Sequence, residues 1–333
     1  KTVFVYGALA GEEVLIEIVK RKPSFDKAKL VEIIQASPKR VTPECPNYGV
    51  CGGCSMQHVS FDEQIRIKQQ VLTDNLQHLG NVVAEEIMSP LAGVPWGYRH
   101  RARLSARYVA KKGGALVGFR EKGAPYVLDM HQCLILPPHV SALITPLREL
   151  VSALSIRDKI PQIEVAVGTQ VTILVIRNME ALNPEDEQLI RQFIEQYSSL
   201  ENPLQIWLQP KGPETCYPFY PVDAPKLSYT IQRFSLDMPY NPSEFTQVNP
   251  YINEEMLALS MELLAPQTHE VIADFFCGIG NFTLPIARLA KQVVGIEGAD
   301  ALVKRAKQNA IHNGLGDKVA YQVCNLFTID DVW

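Results

Sequence analysis

His269-Glu-Val-Ile-Ala-Asp274-Phe-Phe-Cys277-Gly278-Ile-Gly280-Asn281 reads as a buried strand running into a glycine turn. Residues 282–290 continue as a helix. Residues 292–296 form a second apolar strand ending in Glu297. A helix over 301–312 stops at Asn313-Gly314, and residues 318–323 make a third strand ending near Asn325. This β-α-β-α-β order predicts a parallel sheet with ligands at the carboxyl ends of its strands. Ahead of it, Asn249 suits a helix N-cap and Pro250 the first turn.

Glu297 follows Gly278 by 19 residues, at the tip of the second strand. A carboxylate there accepts both ribose hydroxyl protons, so the ligand carries an adenosine-like ribose. A dinucleotide site wants G-x-G-x-x-G, but here Gly280 is followed by Asn281-Phe-Thr283. The missing third glycine favours S-adenosylmethionine, which has no pyrophosphate to cradle, over a dinucleotide or no ligand. Cys277 reads as a small residue packed on that ligand rather than as a nucleophile.

Further towards the amino terminus, Cys45-Pro-Asn-Tyr-Gly49-Val-Cys51-Gly-Gly-Cys54 places three thiols at C-x5-C-x2-C spacing, with glycines that let the backbone turn tightly. Cys133 is the best fourth thiol for a tetrahedral site. Scattered core cysteines or disulfides are the alternatives. Clustering argues against the first, and the odd total of seven cysteines against a full disulfide framework. Zinc and iron–sulfur centres both take four thiolates; the long first gap leans toward a cluster. Such a centre would staple two distant segments, a structural role before a redox one.

The 333 residues are 47% hydrophobic and 20% charged, enough for two or three domains. No apolar run is long enough to span a membrane and no signal peptide is visible. The chain begins inside what reads as a strand, so an earlier start is expected. A cytoplasmic, reducing compartment is inferred. Net charge is −4, yet residues 20–40 hold seven cations and residues 99–122 hold eight. A basic face on a mildly acidic chain suits a polyanion, with solvated surface charge as the alternative.

Residues 2–6, 14–20 and 27–34 read as strands of a small β-barrel, followed by a linker at 37–43. Ser60 and Glu63 form a capping-box pattern for an amphipathic helix closed by Gly80, whose apolar stripe reads as packing. From Tyr98 to Val109 the residues alternate: Arg99, Arg101, Arg103 and Arg107 share a face opposite Ala102, Leu104, Ala106 and Tyr108. Four guanidinium groups on one sheet face point to an anion, read here as RNA. Residues 115–119 and 125–129 read as strands. Beyond them, 141–154 and 184–198 look helical, 162–167, 171–177 and 204–209 extended, and the proline-rich 210–225 a loop.

These features together closely resemble the bacterial RumA/RlmD-type 23S ribosomal RNA uracil-5 methyltransferases. The supporting residues are Val3 to Glu13, Arg40-Val-Thr-Pro43, Cys45 to Cys54 with Gln57-His58, Pro95-Trp-Gly-Tyr-Arg99, Gln132-Cys133, Phe245 to Asn249 and Asp274 to Thr283. The resemblance implies an α/β protein of three parts. Residues 1–40 would be a TRAM-like (OB-like) β-barrel, in part. Residues 41–244 would be a central α+β RNA-binding domain with the iron–sulfur site, its helix at 60–80 free to pack on the methyltransferase domain. Residues 245–333 would be a Rossmann-like methyltransferase domain, incomplete. It further implies Cys45, Cys51, Cys54 and Cys133 as ligands of a 4Fe-4S cluster. Gln247, Phe276, Asn281, Glu297 and Asn325 match positions that contact S-adenosylmethionine. The expected protein is a cytoplasmic monomer acting on 23S ribosomal RNA.

The chemistry of that family adds a thiolate to carbon 6 of a flipped-out uracil, so that carbon 5 takes the methyl group before a base removes its proton. The family's Asp-Pro segment, its Ser-Cys-Asn-Pro loop with the nucleophile, and its distal carboxylate base are absent through Asp331-Val-Trp333. No catalytic residue is therefore assigned. The chain reads as a fragment inactive alone, because a parallel sheet cut after three strands leaves an apolar edge. A non-catalytic RNA-binding or cluster-sensing protein is the competing reading, and a hydride-transferring oxidoreductase a distant third.

Overall fold

Alternation along the first 35 residues produces three strands, β1 (Thr2–Tyr6), β2 (Glu13–Arg21) and β3 (Phe25–Gln35). Their order is β1-β3-β2, with β1 parallel and β2 antiparallel to β3. The computed structural model describes residues 1–328. Contacts divide the chain into two units, Lys1–Ala92 with Glu121–Ala124, and Gly93–Arg120 with Pro125–Trp333. The carboxyl-terminal residues Asp331–Trp333, where the family motifs were read as stopping, lie outside the described residues.

In the first unit the stretch expected to be a linker is tied down. Arg40 donates through Nε (2.5 Å) and Nη2 (2.7 Å) to the Glu12 carboxylate, and through Nη2 to the Gly7 carbonyl at 2.6 Å. Glu12 also accepts from the Leu9 (2.8 Å) and Ser37 (3.1 Å) amides. Arg40 pairs with Val59 in an antiparallel bridge, flanked by Val41 N–H to His58 C=O and Ser60 N–H to Lys39 C=O. A carboxylate with four donors, two of them from the Arg40 guanidinium, favours its ionised form, which lowers the Glu12 pKa to about 2.

Helix α1 (Phe61–His78) follows. The expected capping box does not form: Ser60 makes no side-chain cap bond, and Glu63 instead pairs with Arg66 one turn on, at 2.6 Å. The left-handed residue past its end is Asn81, not Gly80. None of its residues is buried, and Leu72, Leu76 and Leu79 are exposed, so the apolar stripe does not pack as expected.

The second unit begins with β4 (Arg101–Val109) and β5 (Gly114–Gly118), then α2 (Pro138–Ala142), α3 (Ile144–Ala153), β6 (Gln162–Val167), β7 (Thr172–Arg177), α4 (Pro184–Tyr197), β8 (Leu204–Leu208) and β9 (Tyr217–Tyr220). These strands form one sheet, β5-β4-β6-β7-β8-β9, antiparallel except for β7–β8. The parallel pair needs a crossover, and α4 supplies it, started by a capping box between Asn183 and Asp186. Ile144, Leu147 and Val151 on α3 are each at most 1% exposed; burying such side chains contributes about 1.5–3 kcal/mol apiece. Strand β9 lies inside the stretch expected to be a loop. The strand expected at 125–129 is reduced to a single bridge, Arg120 to Val127.

A hairpin not foreseen from the sequence, β10 (Ser228–Ile231) and β11 (Leu236–Pro239), precedes α5 (Pro250–Leu264). Asn249 caps α5 by accepting from the Ile252 amide at 3.1 Å. Then come β12 (Val271–Phe275), α6 (Thr283–Leu289), β13 (Gln292–Glu297), α7 (Asp300–His312) and β14 (Val319–Val323). The sheet order is β12-β13-β14, all parallel, as the sequence pattern predicts. Ile231, Leu236 and Met238 of the hairpin join Leu284, Val293 and Ala306 in one core, so the hairpin belongs with this sheet.

Replacing Glu12 by Gln leaves the covered Arg40 guanidinium without its counter-ion. It is expected to cost about 3 kcal/mol, read by thermal unfolding near neutral pH. In the parent chain the depressed Glu12 pKa stabilises above the ordinary carboxylate range, and that contribution is lost as pH falls through about 2. Glu12→Gln should therefore flatten this part of the acid limb; an unchanged limb would refute the assignment.

Candidate functional site

The turn after β12 holds three residues at positive φ: Phe276 (60°), Gly278 (55°) and Gly280 (97°). Glycine adopts this freely, whereas Phe276 does so against steric preference, a strain that collects at functional sites. A side chain at Gly278 would meet nothing within 4 Å, so that side of the turn is open to a ligand. At Gly280 a Cβ would stand 3.1 Å from the Tyr321 hydroxyl.

Glu297 ends β13 beside this turn. Its Oε2 accepts from the Gly278 amide at 3.2 Å and its Oε1 from the Ala299 amide at 3.1 Å. The Glu297 carbonyl accepts from Cys324 N–H at 3.0 Å, which brings the segment after β14 alongside. There Asn325 accepts from the Phe327 amide at 3.0 Å, and Phe327 lies 5.6 Å from the Phe276 ring. Phe276, Glu297 and Asn325 thus belong to one neighbourhood.

Asn281 faces differently. Its amide forms a reciprocal pair with Asn253 (3.0 and 2.9 Å) and also accepts from the Tyr229 hydroxyl at 2.8 Å. Gln247 lines a separate cavity of about 330 Å³, shared with His100, Arg101, Thr169, Tyr229 and Asn253. The His100 amide donates to the Val248 carbonyl at 2.8 Å and so fixes the segment carrying Gln247.

Beneath the turn, Asp274 accepts from Thr283 Oγ1 at 2.6 Å, and burial pushes its pKa up. The Cys277 thiol is pushed up to about 12 by burial and by the neighbouring Asp274 and Glu297 carboxylates. It stays protonated at neutral pH, which agrees with a packed residue and not a nucleophile.

The chain is 55% identical over 331 residues to the 23S rRNA (uracil(1939)-C(5))-methyltransferase RlmD of Chromobacterium violaceum, covering 99% of this chain and 64% of that protein. It is 52% identical over 333 residues to the protein of the same name from Nitrosospira multiformis, covering 100% and 75%. The chain belongs to the RlmD family of 23S rRNA uracil-C5 methyltransferases. It spans about two thirds to three quarters of the length of these two relatives. The family profile for tRNA (uracil-5-)-methyltransferases matches residues 227–323, beginning at the unforeseen hairpin. A solved structure from Pyrococcus abyssi, a tRNA (uracil-54, C5)-methyltransferase in complex with S-adenosyl-L-homocysteine, superposes with a TM-score of 0.72 at 19% identity. The match covers 99% of this chain and 76% of that one, and shows the shared Rossmann-like methyltransferase fold.

The arginine face of this RlmD-family chain carries partners that the sequence pattern does not show. The alternation along β4 holds, with Ala102, Leu104 and Ala106 buried. Two of the guanidinium groups have protein partners, while Arg99 Nε and Arg101 Nη1 are buried without a hydrogen-bond partner. Arg103 pairs with Glu164 at 3.0 Å, and Arg101 donates to the Pro242 carbonyl at 2.5 Å while lying over the Tyr240 ring. Arg99 lies 6.0 Å from the Phe119 ring centre. Arg107 is exposed.

The cysteines fall in both units: Cys45, Cys51 and Cys54 in the first, Cys133 in the second. The Gly53 amide donates to Cys51 Sγ at 3.3 Å. Burial raises the Cys51 pKa, and the nearby Cys54 and Cys45 sulfurs add to it. Among the described residues, no group of three or more His, Cys, Asp or Glu side chains is gathered as a metal site. The donor set is chemically right for a thiolate centre and is not drawn into coordination.

Residues absent from the sequence reading are Tyr229, Asn253 and Tyr321. Asn253 repeats Asn249 at helical i+4 spacing on an otherwise apolar buried stripe with Leu257 and Met261. That pattern was the available signal. Tyr321 stands in register opposite Gly295. A large residue facing a small one becomes visible only once the strands are paired.

Proposed function

We propose that this chain binds S-adenosylmethionine at the glycine turn and serves the methylation of carbon 5 of a uridine in 23S ribosomal RNA. One observation carries the reading: the Glu297 carboxylate stands at the tip of β13 against Gly278, oriented by two backbone amides. Carboxylate oxygens so placed accept from ribose hydroxyls. The identity to RlmD proteins supports the substrate class.

In this reading Phe276 and Asn325 flank the bound nucleoside, Gln247 approaches from the cavity, and Asn281 shapes the turn. The donor, when bound, supplies a sulfonium methyl group. Uracil carbon 5 becomes nucleophilic only when a thiolate has added to carbon 6. Cys277, protonated and buried, does not suit that role. The thiolate step is assigned to the family's Ser-Cys-Asn-Pro segment, which does not occur in residues 1–333. Exposed cations on and beside β4, Arg107 foremost, are assigned to RNA phosphates.

We also propose that Cys45, Cys51, Cys54 and Cys133 hold a 4Fe-4S cluster. The shared loop and the amide aimed at Cys51 Sγ support it. Its role is to brace the segments that carry its ligands.

Three outcomes test these readings. Glu297→Ala is expected to weaken S-adenosylhomocysteine binding by about 1–3 kcal/mol in calorimetry, and equal affinity would remove the ribose assignment. Arg107→Ala should lower the slope of log affinity for ribosomal RNA against log salt by about 1; an identical slope would exclude a phosphate contact. Anaerobically purified chain should carry about four iron and four sulfide per molecule, lost in Cys51→Ser, and a colourless zinc-loaded protein would refute the cluster.

A further inference from the structure

Asn253 is 4% exposed, and its amide would be costly to bury alone. Each of its two polar atoms has a partner instead. Its Nδ2 donates to Asn281 Oδ1, its Oδ1 accepts from Asn281 Nδ2, and the Tyr229 hydroxyl donates to the same Asn281 Oδ1. Tyr229 is itself half-buried and packs against Tyr240, with ring centres 5.8 Å apart. Three elements therefore meet on one side chain: hairpin strand β10, helix α5, and the turn that follows β12. Both Asn253 and Tyr229 also line the cavity that contains Gln247.

The turn needs such a hold. It contains a phenylalanine in the left-handed region, and Asn281 is the next residue after its second glycine. Strained backbone persists where surrounding contacts over-determine it. The Gly278 amide reaches Glu297 only while the turn keeps this shape.

We infer that Asn253 is a positioning residue for the methyl donor, setting the turn at 276–281 through its reciprocal amide pair with Asn281; this rests on the donor reading above. Asn253 touches no reacting atom. It acts by holding Asn281, and it makes the cavity and the turn move as one piece.

The pairing supplies its own test. A reciprocal amide pair needs one donor and one acceptor on each partner. In Asn253→Asp the ionised carboxylate accepts from Asn281 Nδ2 but faces Asn281 Oδ1 with a second acceptor. The neutral acid restores the donor. Burial raises a carboxyl pKa, so the neutral form prevails at mildly acidic pH and is lost as pH rises. Tyr229, Tyr240, His100, Arg101 and Glu254 at the cavity and Asp274, Cys277, Glu297 and Tyr321 at the turn are common to parent and variant. The difference between the two pH curves thus isolates position 253.

S-adenosylhomocysteine binding is measured by calorimetry on both proteins from about pH 5.5 to about pH 8.5, with near-ultraviolet circular dichroism confirming the folded state. The expected result is near-parental affinity at the acid end and a loss of roughly tenfold or more at the alkaline end. Parental affinity throughout would overturn the positioning role and leave the donor reading intact. Equal weakening at every pH would overturn it too, since shape and not hydrogen-bond donation would then matter. A parent chain that binds no S-adenosylhomocysteine would refute the donor reading itself. Should Asn253→Asp not fold, Asn253→Ala replaces it and deletes both bonds to Asn281: weaker binding with the parental pH profile is expected, and unchanged affinity would overturn the proposal.

Discussion

Gly295 has no side chain, and the geometry of the candidate site depends on that. A Cβ there would stand 2.6 Å from the Tyr321 ring, which lies opposite it in the β13–β14 register. Tyr321 in turn carries its hydroxyl to within 3.1 Å of the position a Gly280 Cβ would take. The stack from Gly295 through Tyr321 to Gly280 thus sets how high the turn rides over the sheet. Glu297 is two residues beyond Gly295, so its side chain leaves the strand on the same face. The carboxylate emerges where the turn presents the Gly278 amide. A packing constraint in the middle of a strand is converted into a hydrogen bond at its tip.

The parallel sheet was legible in the sequence for a physical reason. Strands of a parallel sheet are rich in apolar residues, and β12, β13 and β14 are so between helices of clear length, although β12 and β14 leave Val271, Phe275 and Val323 exposed. Strands β6 to β8 were legible on the same ground. Strands β9 to β11 were not. Each has four residues, β9 contains Pro218, and the β10–β11 turn places Ser235 rather than glycine in the left-handed region. Nothing local marks such strands; their partners do. The capping pattern at Ser60 failed through competition. Glu63 had a nearer cation in Arg66, and the helix began without the box.

The candidate site divides in the same way. Glu297 could be found because its role is tied to a fixed distance from a glycine turn. Asn253, Tyr229 and Tyr321 act through register and packing between segments as much as 52 residues apart, as in the Tyr229–Asn281 bond. The arginines of β4 show what alternation leaves out: it gives the face of each side chain but not the groups contributed to that face from elsewhere. Glu164 lies 61 residues away on β6, and the Pro242 carbonyl 141 residues away. The stretch around Arg40 was misread for a related reason. A proline-flanked segment looks like a linker until a buried carboxylate such as Glu12 claims its cation.

These internal pairings bear on how a chain of net charge −4 would take up a polyanion in the proposed reading. Charges separated by more than about 8 Å are largely screened at physiological salt, so net charge matters less than what lies at the contact. Arg101 is engaged by Pro242 and Tyr240, whereas Arg103, though paired with Glu164, and Arg107 stay exposed on this face. Around the turn the balance reverses. Asp274 and Glu297 both raise the Cys277 pKa, the mark of a locally negative field. Such a field favours a cationic sulfonium and repels phosphate. In the proposed reading, the two ligands are sorted by sign: the donor by carboxylates at the strand tip, the nucleic acid by exposed guanidinium groups on the neighbouring sheet.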